Sequence, residues 1–252
     1  MNSIDTILAP FKTISLEQTN GSSLMDRFDV KYLFPKDKLV MYLNELKNDY
    51  KILEVNHAKI NSYETLYFDT PKLALYYAHH QGKLNRYKIR YRKYIESNDL
   101  FFEIKIKNNK GRTIKRRIQQ TEMSKIFSKE AKIFIQQNTT LDPQLLEEKI
   151  WINNSRITLI SNDDKERITF DFDISLTDNN QTKTIEKIVI AEVKQGKLFH
   201  SSFINLMKKH RVRSMPISKY CIGTIYLQNA IKHNNFKPLL NSLNKLQHAI
   251  IA

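Results

Sequence analysis

Several stretches of the chain alternate polar and apolar residues at a period of two, the spacing of a β-strand with one buried face. In residues 87–93, Lys88, Arg90 and Arg92 fall on one face, and Tyr87, Ile89 and Tyr91 on the other. In 101–107, Glu103, Lys105 and Lys107 oppose Phe102, Ile104 and Ile106. The pattern recurs at 27–32, with Arg27, Asp29 and Lys31 on one face, and at 167–176, where Arg167, Thr169, Asp171 and Asp173 oppose Ile168, Phe170, Phe172 and Ile174. It predicts further strands over 63–69, 113–118, 156–160 and 184–194, the last with Glu192 and Lys194 opposite Val189, Ala191 and Val193. The Asn108–Gly111 stretch predicts a hairpin turn. Helical spacing of apolar residues follows Pro35 to about residue 48, runs from Leu73 to Gln81, covers 122–151 with a second helix starting at Pro143, and dominates from about His200.

The polar faces are mostly cationic. Rows of like charges repel, so such faces call for a polyanion lying against them. The best arrangement is an α+β fold: a closed antiparallel barrel with a basic interior and helices packed outside it. Exposed cross-strand ion pairs are the plainer alternative. The 252 residues, with 41 Lys and Arg against 26 Asp and Glu and a net charge of +15, match the need for an anionic partner. They suit a single domain: a lead-in segment over 1–24, the barrel over 25–228 and a C-terminal helix over 229–252. One cysteine, Cys221, excludes an internal disulfide framework, and no stretch has the roughly 20 apolar residues of a membrane helix, so a cytoplasmic protein is expected.

The motifs Arg27-Phe28-Asp29-Val30-Lys31-Tyr32, Tyr67-Phe68-Asp69-Thr70, Lys88-Ile89-Arg90-Tyr91-Arg92, Glu103-Ile104-Lys105, Ala191-Glu192-Val193-Lys194 and Ser218-Lys219-Tyr220 resemble, in order, those of the VTC domain. This is the polyphosphate polymerase domain of the vacuolar transporter chaperone complex and a member of the triphosphate tunnel metalloenzymes; it also occurs as a stand-alone bacterial protein. The resemblance runs from about residue 25 to 228. Asp29 stands where the family usually has glutamate. No phosphate-sensing SPX segment precedes the motifs and no membrane segment follows, so coupling of synthesis to translocation is not expected of these residues.

The resemblance implies an enzyme that transfers the γ-phosphate of ATP onto inorganic polyphosphate with Mn²⁺ or Mg²⁺. It places Lys31, Lys88, Arg90, Lys105, Arg167, Lys194 and Lys219 on the nucleotide and the growing chain, and Glu192 on the metal, with Glu103 and Asp29 as secondary metal ligands. The strand faces add Arg27, Arg92, Lys107, Lys115 and Arg117 as phosphate contacts. Tyr67 and Tyr91 are the aromatic candidates for contact with the nucleotide. A tripolyphosphatase or nucleoside triphosphatase, with Glu103 activating water, and a non-catalytic binding module both stay open; so does a protein partner. The basic run Lys110–Arg117 reads as hairpin rather than nucleic-acid patch, His79-His80 lacks the companions of a zinc site, and no Walker-type glycine loop occurs.

Overall fold

Alternation along the strands becomes a two-faced sheet in the computed structural model, which describes residues 4–19, 28–110, 112–196, 201–228 and 231–248. Its strands are β1 (Thr13–Ile14), β2 (Phe28–Pro35), β3 (Tyr50–Leu53), β4 (Asn61–Asp69), β5 (Arg86–Tyr94), β6 (Asp99–Lys107), β7 (Thr113–Gln119), β8 (Glu147–Ser161), β9 (Glu166–Thr177), β10 (Thr182–Ile185) and β11 (Ile188–Gln195). Helices are α1 (Ile4–Leu8), α2 (Leu16–Thr19), α3 (Leu39–Leu46), α4 (Ala74–His80), α5 (Lys129–Asn138), α6 (Ser202–Lys209), α7 (Lys219–Leu227) and α8 (Lys237–His248). The main path runs β2-β11-β9-β8-β4-β5-β6-β7 with every pair antiparallel. The fold is α+β, as expected.

One face is apolar throughout. Phe34, Ile157, Leu159, Ile168, Phe170, Val189 and Ala191 pack under α1, α3 and α6. Leu66, Phe68, Ile89, Tyr91, Phe102 and Ile104 pack under α5. Burying a side chain of this kind stabilises the fold by about 1.5–3 kcal/mol, which offsets the crowding of charge opposite.

The other face departs from the expectation of a uniformly polar interior with helices outside. It turns apolar toward one end, where Leu33, Tyr67, Ile150, Ile152, Ile174, Leu176 and Ile190 form a floor for α7 and its residues Tyr220 and Ile222. Gly223 permits the approach: a Cβ there would stand 3.3 Å from both Ile150 Cγ2 and Leu176 Cδ2. Ile174 reaches this face because β9 carries an extra residue. Between the pairs Ser155↔Phe172 and Asn153↔Ser175 the register shifts, and Asp173 takes a left-handed φ of 49°. The bulge reverses the alternation, so Ile174 leaves the Phe172 side, contrary to simple period-two reading. Asp173 itself turns outward to Lys36.

The ladder is not the closed barrel expected from the pattern. Among the described residues β2 and β7 are the ends of the path. The free edge of β2 is occupied by the strap that precedes α7: Ser214 bridges Tyr32, and the Met215 amide donates to the Lys31 carbonyl at 2.9 Å. Lys31 of β2 and Thr113 of β7 nevertheless line one cavity, so the sheet curls until its edges face each other.

Two further expectations change. Residues 147–151 belong to β8 rather than to a helix, because pairing with β4 and β9 overrides the local helix preference of the Glu-Glu-Lys run. The strand expected over 184–194 is two, β10 and β11, separated at Glu186 and Lys187.

The substitution Gly223→Val forces a branched side chain against Ile150 and Leu176. We expect it to cost about 1–3 kcal/mol by overpacking, measured as a lower urea midpoint with an unchanged slope.

Candidate functional site

The polar half of the inner face divides its charges into two groups. The first is neutralised within the protein. Arg90 donates to Glu103 Oε2 from Nε at 2.8 Å and from Nη2 at 2.5 Å, and to the Tyr67 hydroxyl from Nη1 at 2.8 Å. Lys115 pairs with the other oxygen of Glu103, whose side chain is fully buried. Burial opposes ionisation of Glu103, but Arg90, Arg92 and Lys115 outweigh it and hold the carboxyl well below its usual range. The same guanidiniums, with Lys88, overcome burial at Tyr67 and bring its phenol down to about 8.

A second buried carboxylate does the same work on β9. Asp171 accepts from Arg156 Nε at 2.5 Å and Nη2 at 2.8 Å, and from Lys219 Nζ at 2.8 Å. Lys219 opens α7, where Ser218 caps the helix by accepting from the Cys221 amide, and also donates to Asn154 Oδ1 at 2.6 Å. Burial lowers the Lys219 ammonium to about 8 even with Asp171 beside it.

The second group converges on a cavity of 450 Å³. Lys31, Arg86, Lys88, Lys105 and Lys107 line it, with only Asp29 and Glu192 in opposition. Strand alternation puts Arg86 and Lys88 on β5 beside Lys107 and Lys105 on β6 in direct register. Lys88 has only the Ser218 hydroxyl, at 3.0 Å. Lys105 has no hydrogen bond or ion pair among the described residues. Arg90 and then burial press its ammonium well below the usual lysine range, against the pull of Glu192. Burial also lowers Lys88.

Glu192 is the carboxylate left available. Lys31 and Lys194 stand 3.7 Å from it on either side, close enough for attraction but beyond a hydrogen bond. Those ammoniums, with Lys105 and Arg156, overcome burial and hold it ionised well below its usual range. Its cross-strand neighbour Thr169 is buried, with Oγ1 unpartnered among the described residues. An accessible carboxylate beside an orphaned hydroxyl suits a hard divalent cation. Among the described residues no three His, Cys, Asp or Glu side chains gather into a metal cage. The fit is therefore to a cation shared with a phosphate ligand.

Of the remaining expected residues, Arg167 and Lys194 are cross-strand neighbours beside Asp29, off the cavity wall. Arg92 reaches Thr65 Oγ1 at 3.2 Å and lies over Tyr63, and Arg117 lies over Phe101, its carbon 4.1 Å from the ring centre. Arg27 lies outside the described residues. Tyr91 is buried under α5, away from the cavity. Sequence reasoning passed over Arg86, Arg156, His79 and the strap 214–217. Period-two spacing from Lys88 gives Arg86; nothing local marks the strap.

Fold and site together define an α+β phosphate-binding domain with a basic cavity on a curled antiparallel sheet. The VTC domain matches residues 26–228, and the chain belongs to that family. No curated protein matches it. Among solved structures, HpAC1 from Hippeastrum, an adenylyl cyclase candidate with a dominant triphosphatase activity, is similar over 82% of this chain and 100% of its own, at 11% identity and a TM-score of 0.49. PH1819 from Pyrococcus horikoshii OT3 is similar over 79% and 96%, at 9% identity and a TM-score of 0.46. Among the described residues no helix is long and apolar enough to cross a membrane.

Removing the charge of Asp171 leaves Arg156 and Lys219 facing each other. We expect Asp171→Asn to lower stability at pH 7 by about 3–5 kcal/mol. Because the folded protein depresses the carboxyl of Asp171, its contribution is complete above the unfolded value near 4 and fades as pH falls further. Chemical denaturation across pH 2–7 should show an acid decline in the parent that is shallower in the variant.

Proposed function

We propose that this protein is a polyphosphate polymerase that transfers the γ-phosphate of ATP onto an inorganic polyphosphate chain. One observation carries the reading: four lysines, Lys31, Lys88, Lys105 and Lys107, converge on a single cavity beside a carboxylate that accepts no hydrogen bond. Membership of the VTC domain family supports it.

The cations do the binding and most of the catalysis. Lys88, Lys105 and Lys107 hold the triphosphate, and Lys31 approaches from the opposite wall. The terminal oxygen of the polyphosphate chain is already an anion and needs no general base. It forms a bond to the γ-phosphorus as the bond to the β–γ bridging oxygen breaks, and ADP leaves with that electron pair. Repulsion between two polyanions is the main barrier, and fixed ammoniums in a water-poor cavity lower it without reorganising. A bound Mg²⁺ or Mn²⁺ supplies further neutralisation at the phosphate oxygens, with Glu192 as its main protein ligand and Asp29 on the same wall. Arg90 and Lys219, saturated by Glu103 and Asp171, act as fixed positive walls and positioning residues rather than as free phosphate clamps.

The hydrolytic alternative loses its proposed base. Glu103 is buried and clamped between Arg90 and Lys115, so it lacks both the access and the basicity to activate water. That favours phosphate over water as acceptor. A binding module without turnover is the other alternative, and it predicts metal-independent, salt-sensitive association.

Incubation with ATP and Mn²⁺ should yield a polyphosphate ladder on a stained gel, with ADP released in step; free phosphate without a ladder overturns the polymerase. The substitution Glu192→Gln should cut the rate by about a hundredfold or more while the fold melts normally. Binding should also take up protons. An anion raises the depressed lysine pKa values of Lys105 and Lys88, so affinity for triphosphate falls as pH rises. Calorimetry in two buffers of different ionisation enthalpy should give different heats, and equal heats would contradict this.

A further inference from the structure

We propose that the apolar wall of the cavity, made by Val30, His79, Met215, Pro216 and Ile217, is the seat for the nucleoside of a nucleoside triphosphate. The inference rests on the reading of the cavity as a triphosphate site and adds which part of the ligand lies where. The cavity is lopsided: its cations come from β5 and β6 and from Lys31, whereas these five side chains form a separate apolar stretch. An inorganic phosphate chain is anionic along its whole length and gains nothing from such a wall. A nucleotide is itself lopsided, with a flat apolar base at one end and charge at the other.

The wall is built in place before any ligand arrives. His79 sits in the last turn of α4, whose start is held by Asp69: its carboxylate accepts from the amides of Leu75 and Tyr76, each at 2.8 Å, and from the Tyr220 hydroxyl at 2.5 Å. Phe236 backs the imidazole, ring centres 6.0 Å apart. Met215 is fixed by its amide bond to the Lys31 carbonyl, and Ile217 is anchored in the apolar cluster under α7. A wall fixed in this way costs little ordering on binding.

The state of His79 fits the role. Burial, with Lys88, Arg86, Lys31 and Lys107 nearby, lowers its pKa to about 2, so the ring is neutral at physiological pH. A neutral ring faces a base without adding to the crowd of cations. Its Nδ1 has no hydrogen-bond partner among the described residues.

The test compares three ligands on the same protein by calorimetry with Mg²⁺: the β,γ-imido analogue of ATP, methyl triphosphate and inorganic tripolyphosphate. The unaltered chain should bind the ATP analogue about tenfold tighter than methyl triphosphate, the gain expected from covering one face of a base. In Met215→Ser and His79→Ala most of that advantage should vanish, with the two ligands that lack a base held within about twofold of the parent. Equal affinity of the unaltered chain for the ATP analogue and methyl triphosphate overturns the nucleoside seat and leaves the triphosphate site standing. Equal weakening of all three ligands in the variants also overturns it, because the wall then only shapes the cavity. Failure of all three to bind the unaltered chain overturns the triphosphate reading itself. Should either variant not fold, the comparison on the unaltered chain decides alone.

Discussion

Gathering lysine and arginine on one face of a β-sheet is opposed by their mutual repulsion, and here two buried carboxylates make it tolerable. Glu103 binds Arg90 and Lys115, and Asp171 binds Arg156 and Lys219. A buried carboxylate is costly alone and so is a buried guanidinium; each becomes affordable through the other. The result is a lattice of fixed charge that still sums to an excess of cations around the cavity. That excess leaves Lys105 in a field that disfavours its own proton, so the site is held ready for an anion.

The second constraint is geometric. A curled sheet has a concave side that must be filled, and phosphate-binding side chains cannot fill all of it with the apolar contact that folding requires. The protein resolves this by dividing the inner face lengthwise. One end keeps the lysines; the other takes α7, whose first residues, Ser218 and Lys219, reach back to Lys88 and Asp171. One helix thus serves as core on one side and as part of the charged wall on the other. The strap leading into it occupies the edge of β2, which is why that edge pairs with the strap and not with β7.

Much of this was legible in the chain. Period-two alternation gave β5 and β6 with the faces of Lys88, Arg90, Lys105 and Glu103 correctly assigned, because both strands are regular along their length. It failed where regularity does. A left-handed residue at Asp173 leaves no mark in a hydropathy pattern, so Ile174 was placed with Phe172. Residues 147–151 read as helix because local preference is weighed before partners are known. The part played by Glu103 was also out of reach, since a glutamate on a strand face looks the same whether it awaits a metal or is locked by two cations. Register decides: Arg90 lies directly across from it, as Arg156 does from Asp171.

The extra residue in β9 has a consequence for how this strand tolerates change. Asp173 faces solvent and its side chain is replaceable, yet the position it occupies is a spacer that sets the phase of everything after it. Loss of the residue would restore strict alternation, turn Ile174 and Leu176 toward the helices on the far side, and aim Ser175 at the floor beneath Gly223. Substitutions at 173 are therefore cheap while a one-residue deletion is ruinous: the strand behaves there like a message whose letters are free and whose frame is not.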